Sequence, residues 1–278
     1  MPPWTGIVLA LAEPPDDRMG SRVATHLHPL AGRPLAWHVV SALAGLHPAP
    51  SAIVVVADRE LNTDPFLDVC PELRVVGPGE ESPWSAVQAS GLEERVLLAD
   101  ARAPLLAGGI GRLLDAPGES AVLVDEAGRP AAAWLTRDEA AGVLGGGRGM
   151  GGVPAGAGRV TDAESALVVR DRAGYAAAGA AMRDRLVQRL MEGGVSFLLP
   201  GTTWVDLDVR IGRDSIVYPG VVLEGQTTVG EETVIGPGCR VVDSWIGSGV
   251  ELKGWNYISH TSVRNRAILE PYVRRGFD

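Results

Sequence analysis

The last third of the chain repeats one hydrophobic position every six residues. Val205, Ile211, Val217, Leu223, Val229, Ile235 and Val241 stand six apart, a five-residue step leads to Ile246, Leu252 and Ile258, and a second leads to Val263 and Leu269. Four residues after each comes a position that is mostly small or β-branched: Val209, Ser215, Val221, Thr227, Thr233, Cys239, Val250, Ser262, Ala267 and Val273, with Trp245 and Asn256 as exceptions. Glycine or an acidic residue often follows the first position, as in Ile211-Gly212, Leu223-Glu224 and Val229-Gly230. This period is the signature of hexapeptide repeats that wind into a parallel β-helix. Three hexads close one triangular coil, so the pattern predicts about four coils, stacked at roughly the 4.8 Å strand spacing.

Upstream of residue 170 the period changes. Short apolar runs stand at Ile7-Val8-Leu9-Ala10, Ile53-Val54-Val55-Val56, Leu73-Arg74-Val75-Val76, Val96-Leu97-Leu98, Ala121-Val122-Leu123-Val124 and Leu167-Val168-Val169. Helical stretches fall between them at 34–46, 84–92 and 110–116. Such alternation predicts a doubly wound parallel sheet. The glycine-heavy stretch 142–158 reads as a mobile loop. Residues 171–194 read as one long helix with an apolar face of Met182, Leu186, Leu190 and Met191, stopped by Gly193-Gly194. The expected organisation is an α/β, Rossmann-like domain over 1–170, a connecting helix over 171–194 and a short left-handed β-helix over 195–278.

Bulk properties narrow the function classes. The 278 residues suffice for two cores, and the formal net charge is −9 with no basic run, which argues against nucleic acid as the main partner. The two cysteines, Cys70 and Cys239, are far apart and form no metal or redox spacing, and Cys239 falls on an inward hexad position. No apolar run reaches membrane-spanning length. The expectation is a cytoplasmic protein without a membrane partner.

Three stretches carry a resemblance. One is Ile7-Val8-Leu9-Ala10 with Arg18-Met19 and Leu27-His28-Pro29-Leu30-Ala31-Gly32-Arg33-Pro34-Leu35. The second is Leu190-Met191-Glu192-Gly193-Gly194-Val195 with Thr202-Thr203-Trp204-Val205-Asp206. The third is Pro219-Gly220-Val221-Val222-Leu223-Glu224-Gly225. Together they resemble the GlmU family of bifunctional UDP-N-acetylglucosamine pyrophosphorylase and glucosamine-1-phosphate acetyltransferase enzymes, densely from about residue 171 and patchily before it. The resemblance implies a nucleotidyltransferase-type domain, a β-helix that trimerises, and nucleotide-sugar chemistry.

Against that family pattern several positions depart. The family's glycine-rich loop, roughly A-A-G-x-G-T-R-M, is here Ala10-Leu11-Ala12-Glu13-Pro14-Pro15-Asp16-Asp17-Arg18-Met19. It has no glycine, two prolines without N–H groups, and three carboxylates where phosphates would lie. The family's phosphate-contacting lysine is matched by Thr25. The resemblance leaves Arg18 and Arg33 as phosphate-binding candidates. It makes Asp100 the candidate ligand for Mg²⁺, the cofactor implied if the site is active. The second metal ligand, an asparagine, is matched by Arg170, and an arginine cannot ligate a cation. Its guanidinium would fill the metal's space and pair with Asp100, with Arg102 and Arg172 as rivals. The resemblance implies that the family's acetyltransferase site lies further along the β-helix than these coils, and Tyr257, His260 and Arg274 are the candidates for a new site at a β-helix seam. Three functions follow. One is a non-catalytic trimeric scaffold or regulatory protein that partners another enzyme. A second is a nucleotidyltransferase with a rebuilt site. A third is an acyl-transfer or small-ligand site at the seam.

Overall fold

The computed structural model describes residues 2–11, 17–77, 87, 92–146 and 149–276. The chain forms two compact units, Met1–Pro29 with Arg33–Ala178 and Leu30–Gly32 with Gly179–Asp278.

The first unit is built on a seven-stranded sheet. Its strands are β1 (Trp4–Ala10), β2 (Ala52–Ala57), β3 (Arg74–Val76), β4 (Arg95–Asp100), β5 (Ala121–Val124), β6 (Pro130–Thr136) and β7 (Gly158–Thr161). Their order is β3-β2-β1-β4-β6-β5-β7. β1 pairs in parallel with both β2 and β4, whereas β6 runs antiparallel between β4 and β5. Every residue of β1 is buried, as the unbroken apolar run requires of a strand covered on both faces. Among the described residues α1 (Leu35–Ala44), α2 (Ala107–Leu114) and α3 (Arg137–Gly145) accompany the sheet.

The structure corrects the expected organisation of this unit in three places. β6 has an alanine-rich sequence with little β-branching, so its apolar run gives a weak strand signal. It pairs with β5 across a turn in which Gly128 takes φ +76°. Leu167-Val168-Val169 is not a strand; among the described residues Val169 N–H donates to the Arg102 carbonyl at 2.8 Å. The expected mobile loop is not what residues 142–146 and 149–158 form: they hold the end of α3, a 3₁₀ turn at Gly149–Gly152 with Met150 buried, and the start of β7. α3 opens on a capping box, with the Thr136 hydroxyl accepting from Glu139 N–H while the Glu139 carboxylate accepts from Thr136 N–H, a T-x-x-E signal legible in the sequence. Most of the helical stretch expected at 84–92 lies outside the described residues.

Helix α4 (Arg172–Glu192) carries residues of both units. Met182, Leu186, Val187 and Leu190 are buried, but Met191 is 41% exposed. Val187, not Met191, therefore completes the apolar face. The helix stops in a Schellman turn: Val195 N–H donates to the Leu190 carbonyl, Gly194 N–H to that of Met191, and Gly194 has φ +97°.

The second unit is a parallel β-helix of three sheets with five, five and four strands. The first holds Ser196–Phe197, Ile216–Val217, Val234–Ile235, Glu251–Leu252 and Ile268–Leu269. The second holds Trp204–Val205, Val222–Glu224, Arg240–Val242, Tyr257–Ser259 and Arg274–Arg275; the third holds Arg210–Ile211, Thr228–Val229, Trp245–Ile246 and Ser262–Val263. The six-residue positions from Val205 to Leu269 form its core, with Ile211 partly buried. The winding starts at Phe197, before the first hexad seen in the sequence, because a 3₁₀ turn at Pro200–Thr202 lengthens that first step. The five-residue steps also move the second inward position back by one. Ser244 is buried where Trp245 was expected, and Trp245 is 47% exposed. Thr261 takes the place assigned to Ser262, its N–H donating to the Ser244 hydroxyl at 3.2 Å. Ser244 N–H in turn donates to Thr227 at 3.4 Å, and Thr233 N–H to Ser215 at 3.1 Å. Asn256 fits inside because its amide donates to the Glu270 carbonyl and accepts from Gly254 N–H.

Candidate functional site

In the first unit, the carboxyl ends of β1, β2 and β4 lead to Leu11, Asp58 and Asp100 along one edge of the sheet. Open α/β sheets bind ligands at such an edge. Asp100 is 6% exposed and Arg102, two residues on, 5%. The chain turns so that Arg102 folds back on the carboxylate. Oδ1 accepts from Arg102 N–H at 2.9 Å and from Nε at 3.0 Å, and Oδ2 accepts from Nη2 at 2.8 Å. The expected pair with Arg170 is therefore not the one formed. Arg170 is also buried, with Nη1 donating to the Val168 carbonyl at 3.2 Å. The two-residue spacing lets Arg102 close on Asp100 with backbone and side chain together.

Residues 17–19, the described end of the loop after β1, bond to other groups of the same unit. Arg18 N–H donates to the Arg170 carbonyl at 2.6 Å, and Met19 N–H to Asp17 Oδ1 at 2.8 Å. The other oxygen of Asp17 accepts from the buried Thr25 hydroxyl at 2.6 Å. The Arg18 side chain is exposed and lies 3.6 Å from Asp171. Ala12, Glu13, Pro14, Pro15 and Asp16 lie outside the described residues. Next to Thr25, His26 is buried with Nδ1 3.1 Å from the Leu11 carbonyl. Burial pushes its imidazole below the ordinary range. The Leu11 carbonyl and the carboxylates of Asp58 and Asp100 oppose that fall, and Arg102 adds to it.

Arg33 is engaged elsewhere in the unit. Its Nη1 lies 3.1 Å from Asp68, and its guanidinium stacks 5.0 Å from the ring of Trp37, whose indole N–H donates to the same carboxylate. A cleft of about 420 Å³ opens beyond β5, lined among others by Asp125, Glu126, Arg129, Arg170 and Asp171. Asp125 accepts from Arg129 N–H at 2.8 Å and from Nε at 2.6 Å. Burial raises the Asp125 carboxyl, but these two bonds and the charges of Arg129 and Arg170 bring it below the usual carboxylate range.

In the second unit the seam candidates fall on neighbouring coils. Tyr257 pairs in register with Arg240 on one side and Arg274 on the other, whose guanidiniums lie 5.4 and 5.9 Å from its ring. Glu224 fixes Arg240 through Nε at 2.5 Å and Nη2 at 3.2 Å. His260 occupies a corner with φ +47°, its exposed ring 3.9 Å from the Asp243 carboxylate, too long for a hydrogen bond.

These residues do not fit a divalent cation at Asp100. Both of its oxygens are engaged by Arg102, and the buried group at position 170 is a donor-only cation. Among the described residues no cluster of three or more His, Cys, Asp or Glu is arranged for a metal. No helix among them is long and apolar enough to cross a membrane. Sequence reasoning missed the Asp17–Thr25 bond, the Asp125–Arg129 pair and His26. The pair could have been suspected from two opposite charges flanking a glycine turn, whereas nothing in the sequence marks His26 as buried.

Comparison with known proteins adds three findings. Residues 208–242 match the family described as bacterial transferase hexapeptide (six repeats). The bifunctional protein GlmU of Corynebacterium glutamicum (strain R) is 28% identical over 98% of this chain and 70% of its own length. GlmU of Geobacillus sp. (strain WCH70) is 37% identical over 40% of this chain, a match that spans only 24% of that protein.

Proposed function

We propose that this chain, a GlmU-like protein with a nucleotidyltransferase-type unit and a hexapeptide-repeat β-helix, is a non-catalytic scaffold or regulatory protein. It assembles as a cytoplasmic homotrimer through the β-helix and presents the other unit to a partner enzyme of nucleotide-sugar metabolism. One observation carries this reading: the groups that would cradle a nucleotide's phosphates serve the protein itself. Arg18 and Met19 donate their N–H groups to Arg170 and Asp17, and Asp17 also holds Thr25. Losing two or three charge-assisted phosphate contacts, at about 1.5–3 kcal/mol each, takes a micromolar dissociation constant to millimolar or weaker. Calorimetry with UTP and UDP-N-acetylglucosamine, with and without Mg²⁺, is expected to give no heat of binding in the micromolar range. Low-micromolar binding, or pyrophosphate release from any nucleoside triphosphate, overturns the reading. In its place would stand a nucleotidyltransferase with a rebuilt site, which the open cleft beside Arg129 and Arg170 favours.

The trimer is supported by outward-facing rings: Trp245 is 47%, Trp255 59% and Tyr272 73% exposed, and such apolar surface marks interfaces. Light scattering at micromolar concentration is expected to return three times the chain mass of 29.1 kDa, and a monomeric mass removes the claim.

A further inference from the structure

The resemblance implies a divalent cation at Asp100, and the residues present refuse one. That refusal has a structural agent. Asp100 is a carboxylate at the carboxyl end of a central strand, only 6% exposed. A buried charge without a counter-charge is strongly destabilising. The counter-charge here is Arg102, which covers both oxygens with three donors at 2.8–3.0 Å. A second guanidinium, that of Arg170, is buried in the segment that Arg102 anchors through its carbonyl bond to Val169 N–H.

We propose that Arg102 is a resident cation: it takes over the charge-balancing role of a divalent metal at Asp100, and by doing so closes this edge of the sheet to metal. The geometry favours this over an incidental surface pair. Arg102 is itself 5% exposed, and its backbone N–H and its side chain grip the same oxygen. A guanidinium supplies one fixed charge and a rigid fork of donors, so the edge needs no ion from solution to be complete. The proposal deepens the reading of a non-catalytic unit, but it is tested without nucleotide, so it can fail while that reading stands, and the reverse.

The experiment is a thermal-unfolding series on the full chain, with Mn²⁺ binding followed in parallel by electron paramagnetic resonance. The wild-type protein is expected to show the same Tm in 5 mM Mn²⁺, 5 mM Mg²⁺ and EDTA, and no bound Mn²⁺. Arg102→Met is expected to lower Tm by roughly 6–15 °C, the effect of stranding a buried charge. Millimolar Mn²⁺ is expected to recover part of that loss, with bound Mn²⁺ now detected. Adding Asp100→Asn to Arg102→Met is expected to restore stability without metal and to abolish the Mn²⁺ response. If Arg102→Met does not fold, Arg102→Gln, which keeps hydrogen-bond donors without the charge, takes its place in the same series. A wild-type Mn²⁺ response that disappears in Asp100→Asn overturns the proposal. So does an Arg102 variant whose stability neither Mn²⁺ nor Asp100→Asn changes.

Discussion

The two units bury polar groups by different rules. In the β-helix the buried polar side chains are chiefly hydroxyls and an amide, and four of them meet a backbone group one coil away: Ser215 with Thr233 N–H, Thr227 with Ser244 N–H, Ser244 with Thr261 N–H, Asn256 with the Glu270 carbonyl. At the sheet edge the buried polar groups are charges in single, non-repeating pairs, such as Asp100 with Arg102. A repeat solves its hydrogen bonding once and copies the solution, so a neutral group small enough to fit every coil suffices. An edge where several strands end has no neighbouring copy, and every charge there needs its own partner. The difference teaches where function can change. The repeat tolerates little because each coil is the template of the next, whereas one new arginine can rewrite the edge.

The largest expected effect lies in the repeat. Ile235 is fully buried at the centre of the β-helix core. Ile235→Asp puts an unpaired charge among aliphatic side chains and is expected to cost about 4 kcal/mol or more, enough to lose the second unit. Circular dichroism melts should show loss of β signal, and retention of a wild-type transition would contradict a core that neighbouring coils build together. Smaller is Ser244→Ala, which leaves Thr261 N–H without its acceptor. A destabilisation of roughly 1–3 kcal/mol in urea unfolding is expected, recovered by Ser244→Thr; no change would mean that the hydroxyl ladder is ornament rather than support. In the first unit, Thr136→Ala removes the cap of α3 and should cost about 1 kcal/mol, measured by the same unfolding and confined by hydrogen exchange to residues near α3.

How much of this could be read beforehand follows the same division. The hexads were legible because one inward position recurs through more than four coils, and even the slips at Ile246 and Val263 were visible in the sequence. What was misread was local: a five-residue step moves Ser244 inward and turns Trp245 out, since the residue lost lies at the corner rather than in the strand. At the sheet edge, Asp100 was legible as the end of an apolar strand, but its partner was not. Arg102, Arg170 and Arg172 lie close in sequence or in the implied fold, and only the turn after β4 decides among them. β6 was hidden by alanines, whose strand preference comes entirely from their neighbours.

The subtlest test compares the units by acid. His26, in the first unit, is held below the ordinary imidazole range by burial, so the folded state binds fewer protons than the unfolded chain as pH falls. Its contribution is fully present above the unfolded value of about 6.5 and is lost as pH falls below that value towards the folded one. Asp206, in the second unit, is displaced the other way. Burial raises its carboxyl, as do Glu224 and Asp208, against the bonds it accepts from Gly225 N–H and the Trp204 indole. A carboxylate raised in the folded state gives stability that is complete below its unfolded value and falls away as pH rises through the folded one. Mild acidification should therefore loosen the first unit and tighten the second. One group changes stability by at most about 1.4 kcal/mol per pH unit, so hydrogen exchange read peptide by peptide from pH 7.5 down to about 4, the ordinary carboxylate value, and corrected for intrinsic rates, is the suitable measurement. Protection around residues 25–27 should fall with acid and that around 204–206 should rise. His26→Gln should flatten the first trend and leave the second, and Asp206→Asn the reverse. If both regions moved together, the units would share one titrating network instead of two separate ways of burying polarity.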